Sequence, residues 1–578
     1  MLFDDASAVL RNPQIRHLWP LVEALNPQRD GVLAGRPIVN LSFAINYAFG
    51  GLSVGGYHLV NVTLHVVSAF LLFCIIRNTL NTSKLGDRFA AASDGVALAS
   101  ALIWMVHPLL TESVDYVTQR TELMMGLFYL LTLYCAIRAL AASRPDRWNV
   151  AAIVCCLLGM GSKESMATVP LIIVLYDRIF VFDSMRAAWN RRRTLYAGLA
   201  LGWLELAALV TSRAHTVGFS AGVPAWTYLL NQAQMVAQYL KLTLWPHALV
   251  LDYGLPRPLV LMNVLPQVAL VVGLFALTGI ALAVRPMIGF LGAWFFITLA
   301  PASSFVPIVT EVGAERRMYL PLASVVVLAV IAAHRCMVRV PARARILTAV
   351  VALPLVVVPL GCATIERNHD YGSGISLLQT TVDRWPHGRA HFNLATVLKQ
   401  EGRVDEAMAH LRASAADNPE SQYALGSELY DRGEFGSAIK ELREFVARIS
   451  SNTASAYPTV AARNLIALSL AQQGDLADAV HEFRVASQID PGNANLHGNL
   501  AFVLLRQKDF EGARQNYEEY LKHQAGSAFV LTNLGIALQE LGRADEANQR
   551  FREALAIDSN DSEALHRLAL PSGVEGRR

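Results

Sequence analysis

The sequence predicts an all-α protein in two parts, a polytopic helical membrane domain followed by an α-solenoid. Two features of the 578 residues lead to this fold class. Up to Cys362 the chain is rich in Leu, Val, Ala and Ile. It repeatedly runs almost without charge for about 15–20 residues, the length of a membrane-spanning helix. From Asn368 onward the chain is polar, and its helical pattern repeats.

Ten apolar runs make up the predicted membrane domain, and they divide the chain into segments. The run from Trp226 to Trp245 is not among the ten, because amides and Lys241 recur among its apolar positions. That pattern favours an amphipathic helix on the membrane surface. The predicted segments are an external loop with an acidic pair (1–57), the polytopic domain (58–363), a linker (364–387), the repeat domain (388–570) and a tail (571–578).

The composition excludes several classes of protein. A formal net charge of +3 is too small to indicate a nucleic-acid-binding protein. All six cysteines fall in or beside apolar runs, which indicates core residues and neither a disulfide framework nor a metal site. The first residues lack the basic and apolar regions of a cleavable signal peptide.

The basic residues of the membrane domain predict its orientation. The loops that hold Arg88, the Arg191–Arg193 triplet, Arg285 and Arg335 are rich in Arg and Lys, and the loops between them are poor. By the positive-inside rule the rich loops are cytoplasmic. The His107–Glu122 loop, the N-terminal segment and the repeats therefore face the non-cytoplasmic side of an integral membrane protein. In a bacterial cell that membrane would be the inner or plasma membrane.

The second part of the chain repeats a short motif. Gly402-Arg-Val-Asp-Glu-Ala407 returns as Gly542-Arg-Ala-Asp-Glu-Ala547. The last two intervals between marker alanines are 34 residues, the period of the tetratricopeptide repeat, which is a helix–turn–helix unit. Stacked units form a curved array with a concave binding face. The marker alanines are Ala407, Ala438, Ala479, Ala513 and Ala547, and Ser562–Leu570 is predicted to cap the array.

Two adjacent carboxylates, Asp4 and Asp5, are the first candidates for chemistry. If they face outward, they can take a proton from an acceptor hydroxyl or hold a divalent metal ion. An acidic pair followed by Ala-Ser-Ala-Val-Leu can equally cap a helix. The residues alone leave both interpretations open.

Polar side chains near the ends of the apolar runs supply further candidates, since ionisable groups at a membrane boundary are costly and usually mark a site. Arg316 and Arg317 stand on the side that is otherwise poor in Arg, so an anionic phosphate would explain them. Each candidate also has an interpretation without a binding role. The stretch from His107 to Glu112 can be a solvated loop, Lys163 can pair with Glu164 in a tight turn, and Arg316 and Arg317 can extend to the membrane interface. The full set is Arg36, His58, His107, Glu112, Arg120, Lys163, Glu164, Arg316, Arg317 and Tyr319.

Taken together, the ordered motifs resemble the transmembrane and tetratricopeptide-repeat O-mannosyltransferase family, whose membrane domain is of the GT-C glycosyltransferase type. The resemblance covers nearly the whole chain, and the membrane motifs are more specific than the repeats. The motifs are Phe3-Asp4-Asp5, Arg36-Pro37, Gly56-Tyr57-His58-Leu59-Val60-Asn61, His107-Pro108 with Thr111-Glu112, Ser162-Lys163-Glu164, Asp252-Tyr253 and Arg317-Met318-Tyr319-Leu320-Pro321.

The resemblance implies transfer of a mannose-like sugar from a polyprenyl-phosphate donor to a hydroxyl of a protein or peptide acceptor outside the cytoplasm. The repeats would bind the acceptor, membrane lipids would be further partners, and no nucleic acid is expected. The one cofactor to consider is a divalent metal ion at the acidic pair. The residues assigned on this basis are Asp4 and Asp5 for catalysis, and Arg120, Lys163, Arg316 and Arg317 for the donor phosphate.

Members of the superfamily carry a span before the acidic pair, whereas Asp4 stands fourth here. We therefore expect an upstream helix to be needed for insertion and activity. Two other classes remain open on the residues alone. An envelope oligosaccharide ligase or polymerase would use a catalytic His or Arg in a large external loop. A non-enzymatic membrane scaffold would only display the repeats for protein binding.

Overall fold

The structure is a computed structural model that describes residues 4–28, 31–89, 91–210, 222–337, 341–449 and 456–569. The predicted tail at 571–578 lies outside these ranges. Within them the chain is made of helices, turns and short loops, with no β-strand in the described part. The chain forms two compact units, Met1–Pro386 and His387–Arg578. The predicted all-α fold class is confirmed.

Proline begins several helices of the first unit, because its missing N–H costs no hydrogen bond in the first turn and its fixed φ suits a helix. Examples are Pro37, Pro145 and Pro286. The helices are α1 (Leu21–Ala24), α2 (Pro37–Gly50), α3 (Val54–Leu80), α4 (Gly86–Phe89), α5 (Ser93–Met105), α6 (Thr111–Asp115), α7 (Arg120–Ala141), α8 (Pro145–Met160), α9 (Val169–Tyr176), α10 (Met185–Val210), α11 (Ala225–Leu244), α12 (Leu265–Val284), α13 (Pro286–Leu299), α14 (Pro321–Met337), α15 (Ala342–Asp370) and α16 (Gly374–Arg384).

The ten apolar runs lie largely on helices, but fewer of these helices are full membrane spans. Four described segments are long and apolar enough to cross a membrane, namely Val54–Leu80, Val117–Ala141, Leu261–Val284 and Leu347–Asp370. A fifth is obtained if α5 and Pro108–Asp115, which meet at a bend of 56°, count as one broken span. Pro108 accounts for the break, since proline cannot continue a helix. The bend places the polar stretch that follows His107 inside the unit.

The aromatic core of the first unit joins the helices that carry the polar loops. The Trp104 indole on α5 is buried and donates a hydrogen bond of 2.9 Å to the Tyr319 carbonyl, just before α14. The Tyr319 ring lies against Gly126 of α7, where an added Cβ would come within 2.3 Å of a ring carbon. Gly126 is thus required for this close approach, which fixes the start of α14 against α7.

The amides of α11 do not lie on a membrane surface as the sequence suggested. Asn231 and Gln232 are buried, and their amides donate hydrogen bonds of 2.8 Å to the carbonyls of Arg257 and Val312. The polar side of α11 therefore anchors the long loops on either side of α12 and α13. A hydrophobic pattern could not predict this, because buried amides that bond to backbone carbonyls resemble surface amides in sequence.

The segment predicted as a linker is mostly helical. Residues 364–370 continue α15, and α16 follows. Arg384 donates a hydrogen bond of 3.0 Å to the Leu249 carbonyl, and the Trp385 indole donates one of 3.2 Å to the Tyr253 carbonyl. This segment therefore packs within the first unit. The segment 1–57, predicted as a loop, contains the short α1, the whole of α2 and the first turn of α3.

The second unit is a series of antiparallel helix pairs. The five marker alanines are buried at 0–2% exposure, as the predicted repeat requires. The intervals of 31 and 41 residues between the first marker alanines predict a shortened repeat and then an insertion near Ser450–Pro458, of which residues 450–455 lie outside the described ranges. The helices are α17 (Gly388–Gln400), α18 (Val404–Ser414), α19 (Pro419–Asp431), α20 (Phe435–Ile449), α21 (Ala456–Gln473), α22 (Leu476–Ile489), α23 (Ala494–Arg506), α24 (Phe510–His523), α25 (Ala528–Glu540), α26 (Ala544–Ile557) and the capping helix α27 (Ser562–Ala569).

Each turn between the two helices of a repeat contains a residue in the left-handed region. Four of them are the glycines Gly402, Gly433, Gly474 and Gly542, with φ between 76° and 95°. Lys508 occupies the equivalent turn with φ of 67° and is the only described non-glycine residue with positive φ. Glycine adopts this conformation freely, whereas a side chain is strained there.

Candidate active site

The two carboxylates of the acidic pair have different surroundings. Asp5 is 1% exposed, and its Oδ1 accepts hydrogen bonds from the Thr118 amide at 2.8 Å and the Thr118 hydroxyl at 2.5 Å. Asp4 is exposed, and its backbone N–H donates a 3.0 Å hydrogen bond to the Tyr116 hydroxyl. Asp5 thus fixes the chain to the start of α7, while Asp4 stays accessible from the surface with its carboxyl partly packed against the protein.

The charges around Asp4 suit a general base. The surrounding protein removes water from its carboxyl, which raises the pKa of Asp4 above its ordinary value. The Arg316 guanidinium and a hydrogen bond from Tyr116 oppose this rise, and the charges of Asp5 and Glu311 add to it. A carboxylate with a raised pKa accepts a proton more readily at neutral pH.

A buried ion-pair network holds Arg316 in place. The Glu112 carboxylate is 0% exposed and pairs with the Arg316 guanidinium, and it also accepts a 2.9 Å hydrogen bond from the Arg316 backbone N–H. Arg316 pairs with Glu311 as well, and Arg317 pairs with Glu311 at 3.0 Å. Burial alone would raise the pKa of Glu311, but the two guanidiniums lower it to about 2. The network joins the start of α6 to the loop before α14.

A second buried cluster lies beside this network and was not predicted. Glu315 is 0% exposed, and one carboxyl oxygen accepts hydrogen bonds from the Val250 amide at 2.5 Å and the Tyr253 hydroxyl at 3.0 Å. Arg367 is 3% exposed and donates from Nη1 to Asp370 at 2.9 Å. Its Nε and Nη2 have no hydrogen-bond partner among the described residues. A buried guanidinium with open donors can bind an anion.

Sequence reasoning missed Arg367 because it follows the last apolar run, inside the segment predicted as a linker. A usable signal was present. Arg367 stands a few residues after an uncharged apolar stretch, on the side that was predicted to be poor in Arg. The positive-inside rule does not explain an arginine on that side. Arg367 therefore indicates an anionic partner, as Arg316 and Arg317 do.

Lys163, Glu164 and Arg36 lie together at a separate place. Lys163 pairs with Glu122 of α7, and both side chains are almost buried at 11% and 5% exposure. Arg36, at the start of α2, lies 3.6 Å from Glu164. The self-paired Lys163–Glu164 turn is thus not what the structure shows, since Lys163 pairs with Glu122 and Glu164 lies next to Arg36. These ion pairs join the loop after α8 to α2 and α7.

Arg120 is placed in the protein interior. It is 0% exposed, and its guanidinium donates hydrogen bonds to the Asn61 and Asn46 amide oxygens at 2.8 and 2.9 Å and to the Tyr57 carbonyl at 3.0 Å. The Phe43 ring lies 4.5 Å from its central carbon. These contacts use most of its donors within the protein. We therefore leave Arg120 out of the donor site proposed below.

The remaining candidates also have structural partners. His107 is 3% exposed, accepts from the Leu109 amide at 3.2 Å and bonds the Thr243 carbonyl at 3.1 Å, so it caps the turn after α5. The Tyr319 hydroxyl lies 3.1 Å from His65 Nδ1 in the core. His58 is half-buried near the charge of Asp5. Of these three, His58 lies nearest to the acidic pair.

The surroundings of the acidic pair bear on the divalent metal ion predicted there. In the described ranges no group of three or more His, Cys, Asp or Glu side chains could hold one. Asp5 already accepts two hydrogen bonds from Thr118, which competes with metal coordination at that oxygen. The divalent metal ion at the acidic pair stays a prediction.

Comparison with known proteins identifies the two parts of the chain. Residues 37–211 match the family model described as dolichyl-phosphate-mannose-protein mannosyltransferase, and residues 366–421, 423–494 and 492–560 match tetratricopeptide-repeat models. Protein O-mannosyl-transferase Tmtc1 of Drosophila melanogaster is 30% identical over 44% of this chain and 32% of its own length. Over these stretches the chain is similar to protein O-mannosyl-transferases, and it carries tetratricopeptide repeats as well. The resemblance predicted from the motifs is thereby confirmed.

Other O-mannosyl-transferases match over different lengths. Drosophila melanogaster Tmtc2 is 29% identical over 44% of this chain and 29% of its own length, and Tmtc3 is 25% identical over 88% and 64%. The chain thus spans about a third of the first two relatives. The solved structure of Pseudomonas aeruginosa pilF is 19% identical, with a TM-score of 0.29 over 36% of this chain and 93% of its own. The mannosyltransferase match includes Glu112 and Lys163 and excludes the acidic pair and Arg316.

Proposed function

We propose that this chain transfers a mannose-like sugar from a polyprenyl-phosphate donor to a hydroxyl of a protein acceptor on the non-cytoplasmic face of a membrane. The observation that carries the proposal is the placement of Asp4 near Arg316. The charge of Arg316 acts on the Asp4 carboxyl, whose pKa is raised, and the buried Glu112 and the partly exposed Glu311 hold the guanidinium in place. A base and a cation side by side can serve the two ends of a group transfer.

The proposed reaction is an inverting transfer in one displacement. Asp4 takes the proton of the acceptor hydroxyl, and the oxygen attacks the anomeric carbon of the sugar. The bond between that carbon and the phosphate oxygen breaks, and the lipid phosphate leaves with the bonding electrons. Asp5 holds the N-terminal segment through Thr118, so that Asp4 stays where it can act.

The leaving phosphate gains negative charge, which a nearby cation stabilises. Arg316 is the best candidate because it lies near Asp4 and its position is fixed by Glu112 and Glu311. Arg317 supports it through Glu311. Arg367, with two open donors beside Glu315, is a further candidate. Lys163 is tied to Glu122 and would contribute only if that ion pair opened.

The repeats are proposed to bind the acceptor as an extended polypeptide. Helix pairs stacked by buried alanines produce a concave face with many equivalent contact positions. A long polypeptide can be held along such a face while one of its hydroxyls reacts. The orientation of the membrane unit rests on the charge asymmetry of its loops.

The direct test replaces each carboxylate by its amide in the full chain. Purified protein would be offered polyprenyl-phosphate mannose, with a nucleotide-linked mannose as the alternative donor, and transfer to a Ser- and Thr-rich polypeptide would be measured. We expect Asp4→Asn to lower turnover by about 10²–10⁴-fold, the scale of a lost general base. Binding of the lipid donor should remain.

Asp146→Asn is the matched control, because Asp146 is an exposed carboxylate at the start of α8, remote in sequence from the acidic pair. It should leave both turnover and donor binding unchanged. Full activity of the Asp4→Asn, Asp5→Asn double variant would remove the acidic pair from the mechanism. Transfer from the nucleotide sugar alone would eliminate the lipid donor.

A further inference from the structure

The first unit contains a cavity that the proposed reaction does not use. Its volume is about 770 Å³, and it opens between α3, α9, α13 and α14. This volume falls within the range of about 300–1,000 Å³ that is usual for small-molecule sites. Its interior is lined mainly by apolar side chains, among them Leu72, Ile76, Leu133, Phe180, Trp294 and Val327.

The cavity lies at the opposite end of the helices from the candidate active site. On α3, Asn61 faces the active-site end, where it accepts a bond from Arg120, whereas Thr79 lines the cavity. Eighteen residues separate the two, which corresponds to about 27 Å along a helix. On α14 the lining runs from Ala323 to Arg335, so the cavity follows this helix away from Arg317, and Arg335 lies at its far end. The cavity is therefore a separate site, at the other surface of the membrane unit.

One end of the cavity is cationic. Arg88, Arg285 and Arg335 belong to its lining, all three are exposed, and none forms an ion pair with a described side chain. Among the side chains that the structure describes, no Asp or Glu lines the cavity. Arginine suits a phosphate because its planar group donates two parallel hydrogen bonds. Basic pockets between membrane helices on the cytoplasmic side bind anionic headgroups, and all three arginines lie in loops predicted to be cytoplasmic.

We infer that this cavity binds an anionic phospholipid. A hydrocarbon chain fills the space between α3, α13 and α14, and the headgroup phosphate contacts Arg88, Arg285 and Arg335. An apolar interior beside three exposed arginines complements an amphiphile with a negative head, and it matches neither a peptide nor a sugar. This site is independent of the proposed transferase chemistry, because the donor would enter at the other surface.

The test compares lipid binding to the full chain in nanodiscs that contain equal amounts of phosphatidylglycerol and phosphatidylcholine. Lipid retained after extraction into detergent would be identified and counted by native mass spectrometry. The wild type should retain phosphatidylglycerol in excess. Removing an arginine with Arg285→Gln or Arg335→Gln should lower that excess by about fivefold for each charge. Ala332→Trp, which introduces a ring from an exposed lining position, should abolish retention of both lipids.

The control variant is Arg144→Gln with Arg147→Gln, which removes two exposed charges on the same predicted side that do not line the cavity. It should retain as much phosphatidylglycerol as the wild type. Equal retention of the two lipids, or no change on removal of Arg285 and Arg335, would overturn the inference. So would displacement of the bound lipid by added polyprenyl phosphate, because the cavity would then take the donor carrier. Thermal melting of each variant verifies that it is folded.

Discussion

Replacement of the buried Glu315 by glutamine should change how the stability of this protein depends on pH. Burial is the main cause that raises the pKa of Glu315 from 4.5 to about 8, and the nearby Glu112 charge adds to it, while Arg367 opposes it. A rise of this size corresponds to about 5 kcal/mol of preference for the protonated form in the folded state.

The sign follows from where the proton is bound. Between pH 4.5 and 8 the folded state keeps a proton on Glu315 that the unfolded chain releases. Stability from this group is therefore fully present below about pH 4.5 and is lost as the pH rises through 8. The Glu315→Gln variant cannot ionise, and its amide oxygen can still accept from the Val250 amide and the Tyr253 hydroxyl. Burial keeps the pKa of Tyr253 well above its ordinary value, so that hydroxyl remains a donor.

The assay is thermal unfolding of the full chain in detergent at pH 5, 7 and 9. We expect the wild type to lose stability across this range relative to Glu315→Gln, by up to about 5 kcal/mol. Glu401→Gln, which changes an exposed glutamate in the repeats, should follow the wild type. Parallel curves for the wild type and Glu315→Gln would refute the reasoning, because they would mean that the carboxyl titrates as in water.

Three further outcomes are expected. Arg120→Gln leaves three buried acceptors unpaired, which should destabilise the fold by at least about 3 kcal/mol. The melting temperature should fall, and the affinity for the lipid donor should stay unchanged. Unchanged melting with lost donor binding would return Arg120 to the phosphate site. Ala513→Asp buries an unpaired carboxylate and should destabilise the repeats by several kcal/mol, whereas the exposed Ala569→Asp should not; equal protease resistance of the two variants would contradict the repeat register. In intact cells an impermeant thiol reagent should label the Trp19→Cys variant and not the Arg193→Cys variant. In permeabilised cells it should label both variants. The reverse pattern would invert the predicted orientation of the membrane unit.

The sequence predicted those features whose cause is local and periodic. A repeat needs a small residue at the same place in every unit, so the marker alanines can be found by counting. Apolar helices need long uncharged runs, and composition alone locates them. The number of full spans was overestimated, since runs such as Pro286–Leu299 are apolar but too short.

The polar contacts of the site could not be predicted, because their partners are far apart in the chain. Glu112 and Arg316 are 204 residues apart, and only the fold brings them together. The sequence could name Arg120 as an ionisable group at a membrane boundary. It could not show that Asn46 and Asn61 would bind the guanidinium. Arg367 was overlooked for a local reason, because the residues around it in sequence resemble a linker.

The turn at Lys508 has a consequence for the mechanics of the repeat array. Its left-handed conformation costs a residue with a side chain roughly 1–2 kcal/mol that glycine avoids. In a stacked array each unit is stabilised only by its neighbours, so distant repeats do not share this cost. Opening should therefore occur at this turn more readily than at the four glycine turns. We therefore expect the joint between α23 and α24 to be the softest of these five turns, and an acceptor held on the repeats as proposed above would change the curvature of the array there first.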